Sequence, residues 1–431
     1  MDKIRIIDLF AGCGGLLDGF LATELYETVA SVEWEKAPTN TLKNRLNQKW
    51  GIKNTDESVI RFDIQRIEEL FSGFVNDAEY GSNQGLDTLV GEKSIDGIIG
   101  GPPCQSYSVA GRIRDKDKMK EDYRNYLFEY YLKIVDQYKP NFFIFENVPG
   151  MLSAMPDGTP ITDLIKRDIS EKGYEIVEDI KKNAIIDTSD YGVPQKRKRV
   201  ILLGLNKEKF KGKDIQKILI EFYDEILPKY KSEKKSVFDA IHDLPACYPL
   251  EDIQINNGRR YSHSIPEADI TWHIPRFQNK RDIEIFKILS KDIEIEEYKY
   301  TDSKILREMY NKATGSDTQV HKYHVLRKDN PSTTILAHLY KDGLRFIHYD
   351  SKQARTITVR EAARLQSFDD DFEFIGTMGD AFKMIGNAVP PKFSNALGKA
   401  VFKFLDKYID RGGKNGKFFR KSDKFGNSWR E

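Results

Sequence analysis

The run Ile4-Arg5-Ile6-Ile7-Asp8-Leu9-Phe10-Ala11-Gly12-Cys13-Gly14-Gly15 decides the fold of this chain. Ile4, Ile6, Ile7 and Leu9 make a short apolar strand, and the glycines after it make a tight turn into a helix over Leu16 to Leu25. A second strand, Thr28-Val29-Ala30-Ser31-Val32, stops at Glu33, 18 residues beyond the last glycine. Strand, glycine turn, helix and then an acid at the next strand end is how a doubly wound sheet holds an adenosine. The turn brings backbone N–H groups close to the ligand, and the carboxylate accepts from ribose hydroxyls. The same residues also suit an NAD-dependent oxidoreductase.

The alternation of strand and helix continues. Ile95-Asp96-Gly97-Ile98-Ile99 and Asn141-Phe142-Phe143-Ile144-Phe145 read as buried strands, with a helix over Tyr126 to Tyr138 and further strands at Glu175 to Ile180 and Val200 to Leu205. Residues 1–205 are therefore expected to form an α/β, doubly wound, mainly parallel sheet with helices on both faces. Within them, residues 64–94 are polar and glycine-punctuated and read as a surface insertion, and Val109 to Arg124 reads as a loop. From 206 to 350 the alternation stops, and polar turns such as Asn256-Asn257-Gly258 separate scattered aromatic and His residues, which predicts a second, smaller domain. Helical spacing resumes over 351–410, opened by Thr358-x-x-Glu361 as a capping box, and 411–431 is a basic tail.

Composition bounds the function. The chain has 431 residues, 39% of them hydrophobic, with 68 basic against 67 acidic side chains, so global charge predicts no partner. Local charge says more: eight basic residues lie between Gln195 and Lys213 against Glu208 alone, and the tail is also basic, which permits contact with phosphate backbones. Cys13, Cys104 and Cys247 are an odd number at spacings that match no disulfide or zinc pattern, so a reducing cytoplasm and no metal are expected. No apolar run reaches membrane-spanning length, and the first residues read as a strand and not a signal peptide.

The turn Gly100-Gly101-Pro102-Pro103-Cys104-Gln105-Ser106 lifts Cys104 off the end of a predicted strand, and the prolines stiffen the backbone before it. A thiol there can act as a nucleophile, although a lone cysteine is as often packed in a core. Glu146 ends the next predicted strand. The glycine turn, Glu33, Cys104 and Glu146 thus fall on one carboxyl edge, where open parallel sheets bind their ligands.

Taken together, Asp8-Leu9-Phe10-Ala11-Gly12-Cys13-Gly14-Gly15-Leu16, Gly100 to Ser108, Glu146-Asn147-Val148-Pro149-Gly150, Gln195-Lys196-Arg197-Lys198-Arg199, Arg355 to Gln366 and Gly386-Asn387-Ala388-Val389-Pro390-Pro391 stand in the order of the cytosine-C5 DNA methyltransferase family. The chain resembles that family, of the bacterial restriction-modification type, over nearly all its length outside 64–94, 206–320 and the tail. The resemblance implies S-adenosylmethionine as cofactor and double-stranded DNA as partner. It implies catalytic roles for Cys104, Glu146, Arg199 and Arg197, and a cofactor pocket formed by Phe10, Ala11, Gly12, Gly14, Gly15, Leu16, Glu33, Trp34, Asp63, Ile64, Pro102, Asn387 and Val389. Gln105, Ser108 and Arg112 would lie near DNA, and residues 206–350 would choose the target, with His324 to Asp350 their most structured part. A monomer is expected, with a cognate restriction endonuclease as a further partner. On their own signals Trp34 also suits core packing and Asp63 a helix N-cap, while Cys13 reads as packing. Asn125, where the family usually has glycine, and the insertion before Cys104 are departures. A transfer-RNA cytosine-C5 methyltransferase is the alternative substrate reading.

Overall fold

The computed structural model describes residues 2–103, 127–155, 158–256, 258–267, 269–320 and 322–409. The strands of the first half are β1 Ile4–Leu9, β2 Tyr26–Glu33, β3 Val59–Arg61, β4 Phe74–Asp77, β5 Gly81–Asn83, β6 Gly97–Gly100, β7 Phe142–Asn147, β8 Tyr174–Glu175, β9 Ile185–Asp187 and β10 Lys198–Asn206. All but β4 and β5 join one eight-stranded sheet in the order β3-β2-β1-β6-β7-β10-β8, with β9 beside β10. Strands β1, β2, β3, β6 and β7 are parallel, and β10 runs antiparallel to β7, β8 and β9. The chain steps outward from β1 to β3, then crosses back to β6 on the other side of β1. Its strand order therefore reverses between β1 and β6, and the crevice outside their carboxyl ends is the expected ligand site.

Apolar packing follows the predicted strands closely, with Ile4, Ile6, Ile7, Leu9, Ile98, Ile99 and Phe142 to Phe145 all buried in one cluster on the sheet. Two expectations need correction. Residues 64–94 are more than a surface insertion: Leu70, Phe74, Leu86 and Val90 are buried in that cluster, and Phe74 stacks on Phe62 with centroids 4.0 Å apart. The strand expected over Glu175 to Ile180 is only β8, because Ile180 already begins a short helix, Ile180–Asn183.

Phe210, Leu219, Phe222 and Leu227 also pack in the sheet cluster, under the C-terminal helix Pro391–Tyr408 that holds Phe404, so residues up to Tyr230 belong with what precedes them and not with a domain starting at 206. A second cluster joins Val237, Ile241, Leu326, Ile335 and Phe346 to Ile357, Leu365, Phe382 and Ile385. The segment after 231 and the C-terminal return thus share one core. A third, smaller cluster is built on the helices Lys280–Glu294 and Ser303–Thr314, through Phe286, Leu289 and Leu306.

Between these clusters lies a buried ion pair. Arg355 donates from both Nη atoms to Glu361 at 2.7 Å, and Thr358 N donates to the same carboxylate at 2.7 Å, completing the predicted capping box. Arg355 and the facing His348 hold the Glu361 carboxyl well below its usual range against the pull of burial. Burial, with Arg355 nearby, pushes His348 and His263 each down to about 4. The unfolded chain binds protons at these histidines from about pH 6.5 downward and the folded chain does not, so stability falls as pH drops through that window. Loss of the Glu361 contribution begins below about 4.3, the ordinary glutamate value, and has the same sign. The midpoint of thermal unfolding is expected to fall steadily between about pH 6.5 and 4; a flat profile contradicts this account.

Candidate active site

Phe10 leaves β1 with φ 56°, a left-handed conformation uncommon for a side chain of its size, and Gly12 and Gly14 follow with φ 56° and 91°. This sharp turn starts α1 (Gly15–Leu21) on the crevice and buries Leu16 and Leu17 against the sheet. A Cβ at Gly15 would stand 2.5 Å from the carbonyl oxygen of Val389, so only glycine lets the far end of the chain close on the turn. Asn387 lies exposed there and Val389 buried.

Glu33 ends β2 with its carboxylate turned back over the turn. Its Oε2 accepts from Gly12 N at 2.8 Å and its Oε1 from Trp34 N at 3.0 Å and Glu35 N at 2.9 Å. Burial raises the carboxyl above its usual range, against those N–H donors. Oε1 thus has both lone pairs engaged, and Oε2 keeps one for a ligand hydroxyl. Trp34 is 49% exposed, so it is not a core residue, and its ring is open to stacking. Asp63 accepts at Oδ1 from Gln65 N at 3.0 Å, a turn cap, beside the buried Ile64. A Cβ at Gly12 would meet nothing within 4 Å, so open space lies directly over the turn. Backbone donors, a carboxylate, an exposed indole and that space fit the adenosine half of a nucleoside cofactor.

On the other side of the crevice, β6 ends in Gly100-Gly101-Pro102-Pro103. A Cβ at Gly101 would lie 2.6 Å from Oε2 of Glu146, and Asn147 Nδ2 donates to Pro102 O at 3.0 Å. The turn that leads to Cys104 is thus strapped to the end of β7. Cys104 itself, with Gln105, Ser108 and Arg112, lies outside the described residues. Because β10 is antiparallel, its first residues reach this same edge, with Ile201 opposite Glu146. Arg199, two residues earlier and on the same face, pairs its Nε with Glu146 Oε1 at 2.7 Å, both side chains nearly buried. Burial lowers the Arg199 guanidinium while Glu146 raises it, and it stays a cation.

This edge carries the glycine turn and Glu33 on one side of β1 and, on the other, an acid paired with an arginine and set against Gly101, three residues before Cys104 in the sequence. The profile of C-5 cytosine-specific DNA methylases matches residues 4–403. The chain belongs to that family. The methylase is 32% identical to a type II methyltransferase of Bacillus paralicheniformis, covering 92% of this chain and 98% of that protein. It is 29% identical to a type II methyltransferase of Neisseria gonorrhoeae, covering 94% and 97%. A structure of an Escherichia coli prophage protein assigned as a DNA modification methyltransferase superposes with a TM-score of 0.58 over 94% of this chain and 100% of that one, at 24% identity, a likeness of fold. The enzyme is a DNA cytosine-5 methyltransferase.

In the methylase the basic run 195–199 alternates. Lys196 and Lys198 are exposed, whereas Gln195, Arg197 and Arg199 are buried, so the run is a strand edge and not a continuous cationic surface. Arg197 donates to backbone carbonyls, of Ile335 at 2.8 Å and Gly386 at 2.9 Å, and not to the Glu146 carboxylate. Cys13 is buried, and its thiol is pushed up to about 12, chiefly by burial, which keeps it a packing group. Three site residues escaped the sequence reading. Asn147 carries the strap to Pro102, and Gln195 and Gln366 join the 195–199 run to the C-terminal return. All three stand inside the quoted motifs, but a polar residue beside a charged one gives no sign that it, too, is buried. No helix among the described residues is long and apolar enough to cross a membrane.

Proposed function

We propose that the enzyme transfers a methyl group from S-adenosylmethionine to C5 of a cytosine flipped out of a specific duplex sequence, through a transient bond between Cys104 and C6. A base in the stack is out of reach of the crevice, so extrusion is required. C5 of cytosine is a weak nucleophile. Addition of the Cys104 thiolate at C6 shifts electron density to C5, which can then attack a methyl group. When bound, the cofactor supplies that methyl as an electrophile on its sulfonium. Phe10, Ala11, Gly12, Gly14, Gly15 and Leu16 would hold its methionine half, Glu33 its ribose, Trp34, Asp63 and Ile64 its adenine, with Pro102, Asn387 and Val389 closing the pocket.

Glu146 would face N3 and the exocyclic amine and favour protonation at N3 as the adduct forms, and Arg199 would hold O2. Loss of the C5 proton and elimination restore the thiol. Gln105, Ser108 and Arg112 would meet the DNA backbone beside the flipped base, and the segment after 231 would select the sequence. In the cell this activity would act in the cytoplasm, from a monomer, to protect host DNA from a partner endonuclease. One observation carries the reading: the Glu146–Arg199 pair stands against Gly101, three residues before Cys104, on the sheet edge that also holds the Glu33 and glycine-turn pocket.

The test is a duplex carrying 5-fluorocytosine at the target, located beforehand by bisulfite sequencing of DNA from expressing cells. Fluorine cannot leave C5 as a proton does, so a denaturation-resistant protein–DNA complex is expected with cofactor present and none for Cys104→Ser. Efficient methylation of the normal duplex with no trapped complex on the fluorinated one would refute covalent addition. Transfer of label to bulk transfer RNA and not to duplex DNA would reverse the substrate assignment.

A further inference from the structure

Gln195, Arg197 and Gln366 are almost wholly buried and hydrogen-bonded in series. Gln195 Oε1 accepts from Ile335 N at 2.8 Å and from Arg197 Nη1 at 3.4 Å, and its Nε2 donates to Gln366 Oε1. Gln366 Nε2 donates in turn to Ala388 O at 2.6 Å. Arg197 runs a parallel course, from Ile335 O to Gly386 O. Around them, Lys196 N donates to Ser332 O at 2.9 Å, Ser332 N to Pro194 O at 2.9 Å, and Thr334 Oγ1 to Lys196 O at 2.6 Å. One end of this cluster is thus residues 332–335, and the other is the turn 386–389 that closes against Gly15. In the middle is Arg197, just before the start of β10 and two residues from Arg199.

Such an arrangement is stiff. Both glutamine amides and both Nη atoms of Arg197 meet buried partners, while Arg197 Nε has none, so removing one of these side chains leaves a buried partner unpaired and shifts the segment that carries it. Arg197 adds an electrostatic constraint. Burial lowers its guanidinium, and the Arg199–Glu146 pair lies close enough to act on it from the other side while its own Nη donors go to Gln195 Oε1 and backbone carbonyls.

We propose that Gln195, Arg197 and Gln366 are positioning residues, a brace that sets Arg199 against Glu146 from both flanking segments. The seat of residues 332–335 and the closure of residues 386–389 are thereby transmitted to the ion pair that holds the target base. The inference rests on the function proposed above and assigns it residues that touch neither base nor cofactor. Displacement of a catalytic group by a fraction of an ångström is enough to slow a reaction many-fold, so the brace acts on kcat.

The test uses Gln366→Leu, Gln195→Leu and the double variant in the full chain, with rates corrected for the folded fraction. Each single variant is expected to lose about ten-fold in kcat. They should divide in KM: Gln366→Leu, which frees the Ala388 carbonyl, raises KM for S-adenosylmethionine about ten-fold, and Gln195→Leu, which frees Ile335 N, raises KM for duplex DNA instead. The double variant should be no worse than about the poorer single, since residues acting as a unit are not additive. Wild-type kcat in both singles, losses that vanish on correction for folded protein, or a fully additive double variant would each overturn the brace. Wild-type protein in the same assay keeps the two readings apart, because absence of transfer by it overturns the proposed function. In that event cofactor affinity by titration calorimetry still reads the brace: about ten-fold weaker binding for Gln366→Leu supports it and unchanged binding overturns it.

Discussion

Cys104→Ala is expected to lower the single-turnover rate of methyl transfer to duplex DNA by about four orders of magnitude or more, the scale seen when an essential nucleophile is removed. No other described thiol can replace it. Cys13 lies within the cofactor turn with its thiol raised to about 12, and Cys247 is buried beside His273 with its thiol raised to about 11, in both cases chiefly by burial. Neither is a thiolate at neutral pH. The proposed cofactor pocket draws on β1, β2 and the 386–389 turn, so cofactor affinity in the variant should stay within about three-fold of wild type. Rapid-quench measurement with labelled cofactor, beside calorimetric titration, checks both. Substantial transfer by Cys104→Ala would end the covalent mechanism, and a parallel loss of cofactor binding would show that the substitution disturbs the fold.

Glu146→Gln should be the next most damaging change, and for two reasons that can be separated. It keeps the shape of the side chain but leaves the nearly buried guanidinium of Arg199 without its carboxylate. Breaking a buried pair by removing one partner typically costs about 3–5 kcal/mol, readable by urea unfolding. It also removes the group that would favour protonation at N3, for which a loss of about 10² to 10⁴ in kcat is expected. Adding Arg199→Leu should return part of the stability and none of the rate, because a buried pair replaced by apolar groups can be nearly neutral. A Glu146→Gln enzyme with wild-type kcat would remove Glu146 from the chemistry. A double variant as unstable as the sum of the two singles would remove the ion pair from the energetics.

Much of the site was legible because strand ends are legible. Apolar runs that stop at a glycine, an acid or a proline fall at one edge of a parallel sheet whatever lies between them, so the glycine turn, Glu33 and Glu146 could be placed together from local pattern alone. The reading failed where burial depends on a distant partner. Residues 64–94 look polar because few of their side chains are apolar, yet Leu70, Phe74 and Leu86 suffice to seat them on the sheet. The break in alternation after 205 suggests a domain boundary, but Phe222 and Leu227 pack beneath a helix that begins only at Pro391.

By itself, the sequence determined the doubly wound sheet, the order of the motifs along it and the identity of the groups at its edge, since each of these follows from hydrophobic period and turn chemistry within a few residues. Tertiary structure alone decided that β10 runs antiparallel, which carries Arg199 back to Glu146, and that Arg197, one alternation earlier, faces inward to the carbonyls of Ile335 and Gly386. Strand direction and long-range pairing depend on which surfaces exclude water together, and residues nearly two hundred positions apart write no trace of that in their own neighbourhoods.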